Sequence, residues 1–597
     1  MKTQRNKTLH RYTADFETTT DPNDCRVWLY ALCNINNNDE YIIGNTIEEF
    51  FELLKDKKEN LVLYFHNLRF DAAFIFNYLL LNGYKCIRDK TEIADKTFLC
   101  LISDTNAYYS IEIYFETHLK NKKVNKCTIY DSLNIINESI EEIAVDFGTE
   151  LKKGEIDYNK KRDKDYIPTE EEIDYIKNDV LIPARALKTL FDKSLTKMTI
   201  GSDALHYYKD IFKHFEHYFP SLPYEVDKEL RKAYKGGFTY VSPDIKEKIV
   251  GRGLVLDVNS LFSYVLREKE LPYGEPLFFE GEYEYDPLYP LYIIQFTCAF
   301  DIKINKIPTT QIKGNIYNFN PREYVESSQG EYVTLTLTNV DFELFMEHYK
   351  VYDLEFHCGW KFKSYKGFFQ EYVDIWFKEK SIGKKEGNKS KQAIAKMMLN
   401  SLYGKFASAT ESMRKYPRFD ENGILLFDYY DTEIRDSVYV PVSAFVTSYA
   451  REIIINSAQK IKDYSILKYG KNLYYYSDTD SLHIGLTDID ELKKLIDIDE
   501  YKIGSFKIES EFTKAKFLRP KTYIEKWKDG TINTTISGLP KYLADQVTFD
   551  NFKLGATYEG KRTPEYVKGG IILKEGTFTI KDRWLKWKNL WYFIQSH

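Results

Sequence analysis

Apolar and polar positions along the chain alternate between two periods. YTADFE (12–17) and LVLYF (61–65) are short β-prone runs, the second continuously apolar as in a buried strand. Between them TIEEFFELLK (46–55) carries apolar residues at helical spacing, with Thr46 at the cap position and Glu49 three residues later. Strand and helix patterns keep alternating to about residue 198, which predicts an α/β unit. GLVLDV (253–258) reads as a further strand. The stretch 268–370 reads as short strands and turns, among them LYIIQFTCAF and YVTLTLTNV. Residues 371–406 read as helix, broken by the Lys-rich KSIGKKEGNKSK, and NLYYYSDTDSLHIGL (472–486) as a hairpin with a polar tip. In the last sixteen residues Trp584, Trp587, Trp591 and Ile594 recur at helical spacing. That pattern suits packing on the chain's own C-terminal domain, or an amphipathic helix for a partner or membrane surface.

Composition narrows the class. A chain of 597 residues is long enough for about four domains. With 43% hydrophobic and 29% charged residues it is globular rather than disordered or fibrous. A net charge of −6 excludes a uniformly basic nucleic-acid coat but leaves room for local basic grooves. Seven Cys without a C-x-x-C pair suggest reduced thiols in a cytosolic compartment. The first residues lack the apolar core of a secretory signal, and no apolar run is long enough for a membrane span.

The candidate chemistry lies in three groups. Asp15 and Glu17 are two apart on a strand and share a face. HNLRFD (66–71) follows the buried strand LVLYF, and Tyr175 and Asp179 are four apart on a helical segment. D-x-E alone is common. Four carboxylates and a Tyr in this order on an α/β scaffold instead suggest a cage for two divalent metals acting on a phosphodiester. A second set joins Asp257, ending GLVLDV, to Asp478 and Asp480 at the hairpin tip, for attack of a hydroxyl on a nucleoside triphosphate. The third is the helical stripe Lys396, Asn400, Tyr403, with Gly404 after it, in a segment (378–405) rich in Lys. Lys521 and Tyr523 sit in a basic run interleaved with aromatics.

In this order the motifs resemble those of family B DNA polymerases with a proofreading exonuclease. DFET, HNLRFDAAFI and YIKND look like the exonuclease motifs; DVNSLF, KMMLNSLYGKF, YSDTDS and KTY look like the polymerisation motifs. CRVW (25–28), YFHNLRFDAAFI (64–75), AYKGGFT (233–239), LPYGEP (271–276) and LNSLYGKFAS (399–408) extend the likeness to the protein-primed, phi-29 phage type, over nearly the whole chain to about Lys581.

The resemblance implies an α/β and α+β multidomain chain. Residues 1–198 would form an RNase H-like 3′–5′ exonuclease domain. A right-handed polymerase would follow: palm (199–267 and 440–545), fingers (371–406), and thumb with tail (546–597). Two insertions typical of protein-primed members would occupy 268–370 and 407–439; IPTTQIKG (307–314) fits the first. By the same resemblance Asp257 and Asp480 bind the polymerisation metals with the Val258 carbonyl, and Asp478 assists. Lys396 binds the triphosphate together with Lys380 or Lys384. Tyr403 meets the nascent pair, supported by Asn400, and Lys521 and Tyr523 hold the primer. Tyr234, Gly236 and Gly237 link the two activities and contact template. Asp15, Glu17, Asp71 and Asp179 bind the exonuclease metals, with Tyr175 and Lys153 assisting, and Asn67 and Phe70 hold the frayed primer end. The implied cofactor is Mg²⁺, or Mn²⁺, two ions per site. The implied partners are template-primer DNA, dNTPs and a terminal protein primer, acting with a monomeric enzyme in the cytoplasm of an infected bacterium.

Three departures stand out. Phe262 and Ser263 replace the family's Tyr and Pro. Phe262 keeps the ring expected to exclude a ribose 2′-OH. The fingers carry about four extra residues before Lys396, which leaves Lys380 and Lys384 as alternatives. The Trp-rich tail has no counterpart. The competing readings are a nuclease with a vestigial polymerase half, a structural DNA-binding protein, and a polymerase primed by RNA or DNA. Two intact acid sets argue against the first two.

Overall fold

The computed structural model describes residues 10–57, 61–118, 123–152, 154–158, 160–313 and 319–581. Lys153 and the Trp-rich tail lie outside the described residues.

The N-terminal unit is built on a ten-stranded mixed sheet. Its strand His10–Thr18 runs antiparallel to Val27–Asn34 and parallel to Leu61–Phe65, which is buried throughout as its apolar run requires. Helix Ile47–Asp56 forms where expected, the Thr46 side chain accepting the Glu49 N–H. Helix Glu170–Phe191 opens with a Thr169–Glu172 capping box. It lies against the first strand, where the Thr13 hydroxyl donates to the Val180 carbonyl at 2.7 Å.

The 407–439 stretch joins this same sheet. Arg414–Phe419 pairs with Thr97–Ser103, and Leu425–Tyr429 forms the outer edge. Ile424 then bridges to Lys568, between the strands Thr557–Val567 and Gly570–Thr579 of a C-terminal hairpin.

A central eight-stranded antiparallel sheet places Gly253–Val258 between Phe506–Arg519 and Ser481–Ile484. Strand Tyr474–Thr479 completes the expected hairpin and pairs with Phe238–Val241. Helix Val440–Tyr469, largely buried, packs on this sheet and on the 268–370 stretch. Its Arg451 is fully buried. It ion-pairs with Asp341 at 2.5 Å and donates to the Lys235 and Gly236 carbonyls.

Two expectations need correction. The 268–370 strands are not short: Tyr349–Lys366 spans eighteen residues and Leu291–Ile302 twelve. Bulges at Gln295/Phe296 and Thr297/Ala299 shift the in–out alternation, so one long strand looks like several in sequence. The Lys-rich stretch is mostly helix. Gln370–Glu386 and Lys389–Phe406 are separated only by Gly387, left-handed at φ 66°, and Asn388, whose side chain caps the next helix. Lys is a good helix former when its charge stays solvated. Among the described residues no helix is long and apolar enough to cross a membrane.

Candidate active sites

The N-terminal site forms where strand His10–Thr18 meets helix Glu170–Phe191. Ligating oxygens of Asp15, Glu17 and Asp179 lie within 4.8 Å of one another. Asp71 opens helix Asp71–Leu81; it is buried, and its Oδ1 has no hydrogen-bond partner. Burial first, then the charges of Asp15, Glu17 and Asp131, hold its carboxyl well above the usual range. Such an all-oxygen set is at rest only when protons or hard cations neutralise it, and its donors suit Mg²⁺ or Mn²⁺.

Tyr175 stands beside these acids, and its hydroxyl hydrogen-bonds that of Tyr158 at 2.9 Å. Burial, then Asp179 and Glu17, push its pKa up, so it stays a neutral donor. Asn67 holds a left-handed φ of 68°, and Asp131 Oδ1 accepts its N–H at 3.0 Å. Asn67 and Phe70 line a cavity of about 620 Å³ above the carboxylates. Its far wall comes from the C-terminal hairpin, through Arg562, Pro564, Leu573 and Glu575. Neither these residues nor Tyr158 carried any sequence signal, because loop and hairpin positions show no partner until the chain closes.

The second site sits on the central sheet. Asp257 pairs in register with Ser481, and the Val258 N–H donates to the Asp480 carbonyl at 2.9 Å. That places Asp257 beside the hairpin tip bearing Asp478 and Asp480. The tip turns tightly at Thr479, φ 64°, and a Cβ on Gly237 would come within 2.6 Å of the Thr479 side chain. Gly237 therefore lets the 233–239 segment lie directly on the tip.

The three acids are neutralised unequally. Lys521 Nζ reaches Asp478 at 2.6 Å, and Lys507 reaches Asp257 at 3.0 Å. Asp480 is pushed up to about 6 by burial, then by Asp257, Asp478 and Glu509. Lys507 escaped the sequence reading; its signal is the Lys–Ile–Glu–Ser–Glu alternation on strand Phe506–Arg519. The Lys521 N–H donates to the Tyr476 hydroxyl, whose ring packs against Tyr523 at 5.2 Å.

Some of the helical residues reach this centre. Lys380 Nζ donates to Ser260 Oγ at 3.2 Å. Burial, then the charge of Lys507, pull the Lys380 pKa down, while Asp257 opposes and Lys396 and Lys384 add to the effect. Lys384 instead reaches toward Glu500 at 3.5 Å and over the Tyr501 ring. Lys396 and Asn400 are exposed on helix Lys389–Phe406. Phe262 and Tyr403 stack at 4.3 Å and 18°. Tyr403 is pushed up to about 12 by burial, then by Tyr234 and Asp480. Ser263 donates to the Leu399 carbonyl at 3.2 Å, tying two helices together. Tyr234 offers its carbonyl to Lys313, and Gly236 offers its own to Arg451.

Residues 54–497 match the family described as DNA polymerase type B, organellar and viral. The chain is 42% identical to the DNA polymerase of Bacillus phage phi29 over 590 residues, spanning 96% of this chain and 99% of that one. The chain belongs to the type B DNA polymerases. Among solved structures, this polymerase matches Phi29 DNA polymerase complexed with primer-template DNA at a TM-score of 0.89 and 40% identity. The match covers 96% of this chain and 100% of that one. It matches the ternary complex with primer-template DNA and incoming nucleotide substrates at a TM-score of 0.87, with the same identity and coverage. The likeness to the phi-29 type thus extends over nearly the full length of both chains.

Proposed function

We propose that this polymerase extends a terminal protein or a DNA primer with dNTPs at the central-sheet site, and trims mismatched 3′ ends at the N-terminal site. The observation that carries the first half is one of opposed charge. Asp257 and the hairpin-tip acids Asp478 and Asp480 gather beside Lys507, which pairs with Asp257, and Lys380, whose charge Lys507, Lys396 and Lys384 oppose. A template-primer and a nucleoside triphosphate would supply a polyanion to these lysines, as in the solved phi29 complexes.

The convergence of Asp15, Glu17 and Asp179 oxygens supports a cation site there, and by the same reading both carboxylate sets would take magnesium or manganese, two ions each; a bound ion would supply Lewis acidity and charge neutralisation at phosphorus. Asp257, Asp480 and the Val258 carbonyl would hold the ions at the central-sheet site, with Asp478 assisting. Lys380 and Lys396 take the triphosphate, Asn400 supports them, and Tyr403 carries the nascent pair. Phe262 bars the ribose 2′-OH. Lys521 and Tyr523 fix the primer end, and Tyr234, Gly236 and Gly237 guide the template strand. At the N-terminal site Asp15, Glu17, Asp71 and Asp179 would hold the ions, Tyr175 and Lys153 orient water, and Asn67 and Phe70 grip the frayed end.

Residues 1–198 serve as the exonuclease, 199–267 and 440–545 as palm, 371–406 as fingers and 546–597 as thumb and tail. The insertions 268–370 and 407–439 hold the primer protein and surround DNA. The pairing of the second insertion with the N-terminal sheet and its bridge at Lys568 support such an enclosure, and with it processive strand displacement. The setting is the cytoplasm of an infected bacterium, with the enzyme acting as a monomer. The test is incubation with template, labelled dNTP and the primer protein of the same replicon. A covalent nucleotide–protein adduct supports protein priming. Extension of DNA primers without any adduct assigns the chain to DNA-primed synthesis instead.

A further inference from the structure

We propose that Arg562, on the C-terminal hairpin, is a phosphate-binding positioning residue of the N-terminal site, gripping the backbone of the strand being trimmed. The inference rests on the exonuclease function proposed above. Arg562 lies on strand Thr557–Val567, far in sequence from every carboxylate of that site, yet it lines the same 620 Å³ cavity. Its guanidinium stands 5.5 Å from the Tyr158 ring and 5.7 Å from the Tyr542 ring. The Tyr158 hydroxyl bonds that of Tyr175 beside the acids. Tyr542 also receives the Arg562 backbone N–H at 2.9 Å, which fixes the strand at this residue. The side chain is thus held over the cavity by two rings.

Charge supplies the reason. Among the described residues the cavity is lined by the carboxylates of Asp15, Glu17, Asp71, Asp157, Asp179 and Glu575, against the guanidiniums of Arg69 and Arg562. An incoming single strand is itself a polyanion, and bound cations offset the acids only at the reacting phosphate. The phosphates behind it need a separate partner. Glu575 lies opposite Arg562 in the strand register, yet among the described residues no carboxylate ion-pairs with the guanidinium. A guanidinium lying over aromatic rings without a carboxylate partner keeps planar N–H donors for two phosphate oxygens. Because the hairpin belongs to a different part of the chain from the acids, this contact also couples hairpin position to trimming.

The test compares Arg562→Ala and Arg562→Lys with the wild-type chain on two substrates in Mg²⁺. One is a single-stranded oligonucleotide; the other is a thymidine 5′-monophosphate aryl ester, which has no strand behind the reacting phosphate. Arg562→Ala is expected to raise KM for the oligonucleotide roughly three- to tenfold. It is also expected to flatten the salt dependence by about 0.7 in log–log slope. Turnover of the ester and extension of matched primers stay unchanged, and Arg562→Lys recovers part of the loss. An unchanged oligonucleotide KM and salt slope would overturn the assignment, as would an equal loss on both substrates. Absence of trimming by the wild-type chain would instead sink the exonuclease function itself.

Discussion

The rings of Phe262 and Tyr403 stack at 4.3 Å, nearly parallel, at the junction of two helices beside Asp480. The pair forms a flat wall where the sugar of an incoming nucleotide would lie. Phe262 lacks the hydroxyl that the family resemblance leads one to expect here, but the wall needs only the ring. Phe262→Ala is therefore expected to lower the dNTP-over-rNTP preference by tenfold or more, on the order of 1–3 kcal/mol. Phe262→Tyr should leave it within about twofold. Single-nucleotide incorporation with paired dNTP and rNTP substrates measures both; a wild-type preference near unity would contradict the role.

Asp480 links the site to stability. Its pKa of about 6 lies above the ordinary 3.8, so between these values the metal-free folded chain holds a proton that the unfolded chain has released. The contribution of Asp480 to stability falls as pH rises through that window and stays low above 6. Metal-free Asp480→Asn should gain roughly 1–3 kcal/mol at pH 7 and little at pH 4. Magnesium should raise the melting temperature of the wild type more than that of the variant. Melting curves at the two pH values, with and without the ion, decide it.

The buried pair of Arg451 and Asp341 ties the 268–370 stretch to helix Val440–Tyr469 on the central sheet. Asp341→Ala leaves a guanidinium uncompensated in the interior, which costs about 3–5 kcal/mol. Denaturant unfolding should show a lower midpoint, with the loss reaching the central sheet because Arg451 also holds the Lys235 and Gly236 carbonyls. A loss below about 1 kcal/mol would mean that water reaches the pair.

Much of this was legible in the sequence, for identifiable reasons. Asp15 and Glu17 share a strand face, Tyr175 and Asp179 a helix face, and Asp478 and Asp480 a hairpin tip, so local period alone predicts their grouping. The Thr46 cap and the buried strand Leu61–Phe65 follow equally local rules. What stayed hidden depends on distant closure. Lys507 meets Asp257 only across the sheet, and Arg562 reaches the N-terminal cavity from the other end of the chain. The long 268–370 strands look short in sequence because bulges break their alternation. Lys380 and Lys384 were inseparable in sequence; in the fold Lys380 reaches Ser260 beside the acids, whereas Lys384 reaches Glu500.

In the proposed function two independent carboxylate sites serve opposite reactions on one primer. The most direct measurement is a gel of a 5′-labelled primer on a longer template in Mg²⁺, with and without dNTPs. It compares the wild type, Asp15→Ala with Asp71→Ala, and Asp480→Ala. The wild type should shorten the primer without dNTPs and extend it with them. The double variant should only extend, and Asp480→Ala should only shorten. Loss of both reactions in either folded variant, or shortening by the wild type in every lane, would contradict two separate sites.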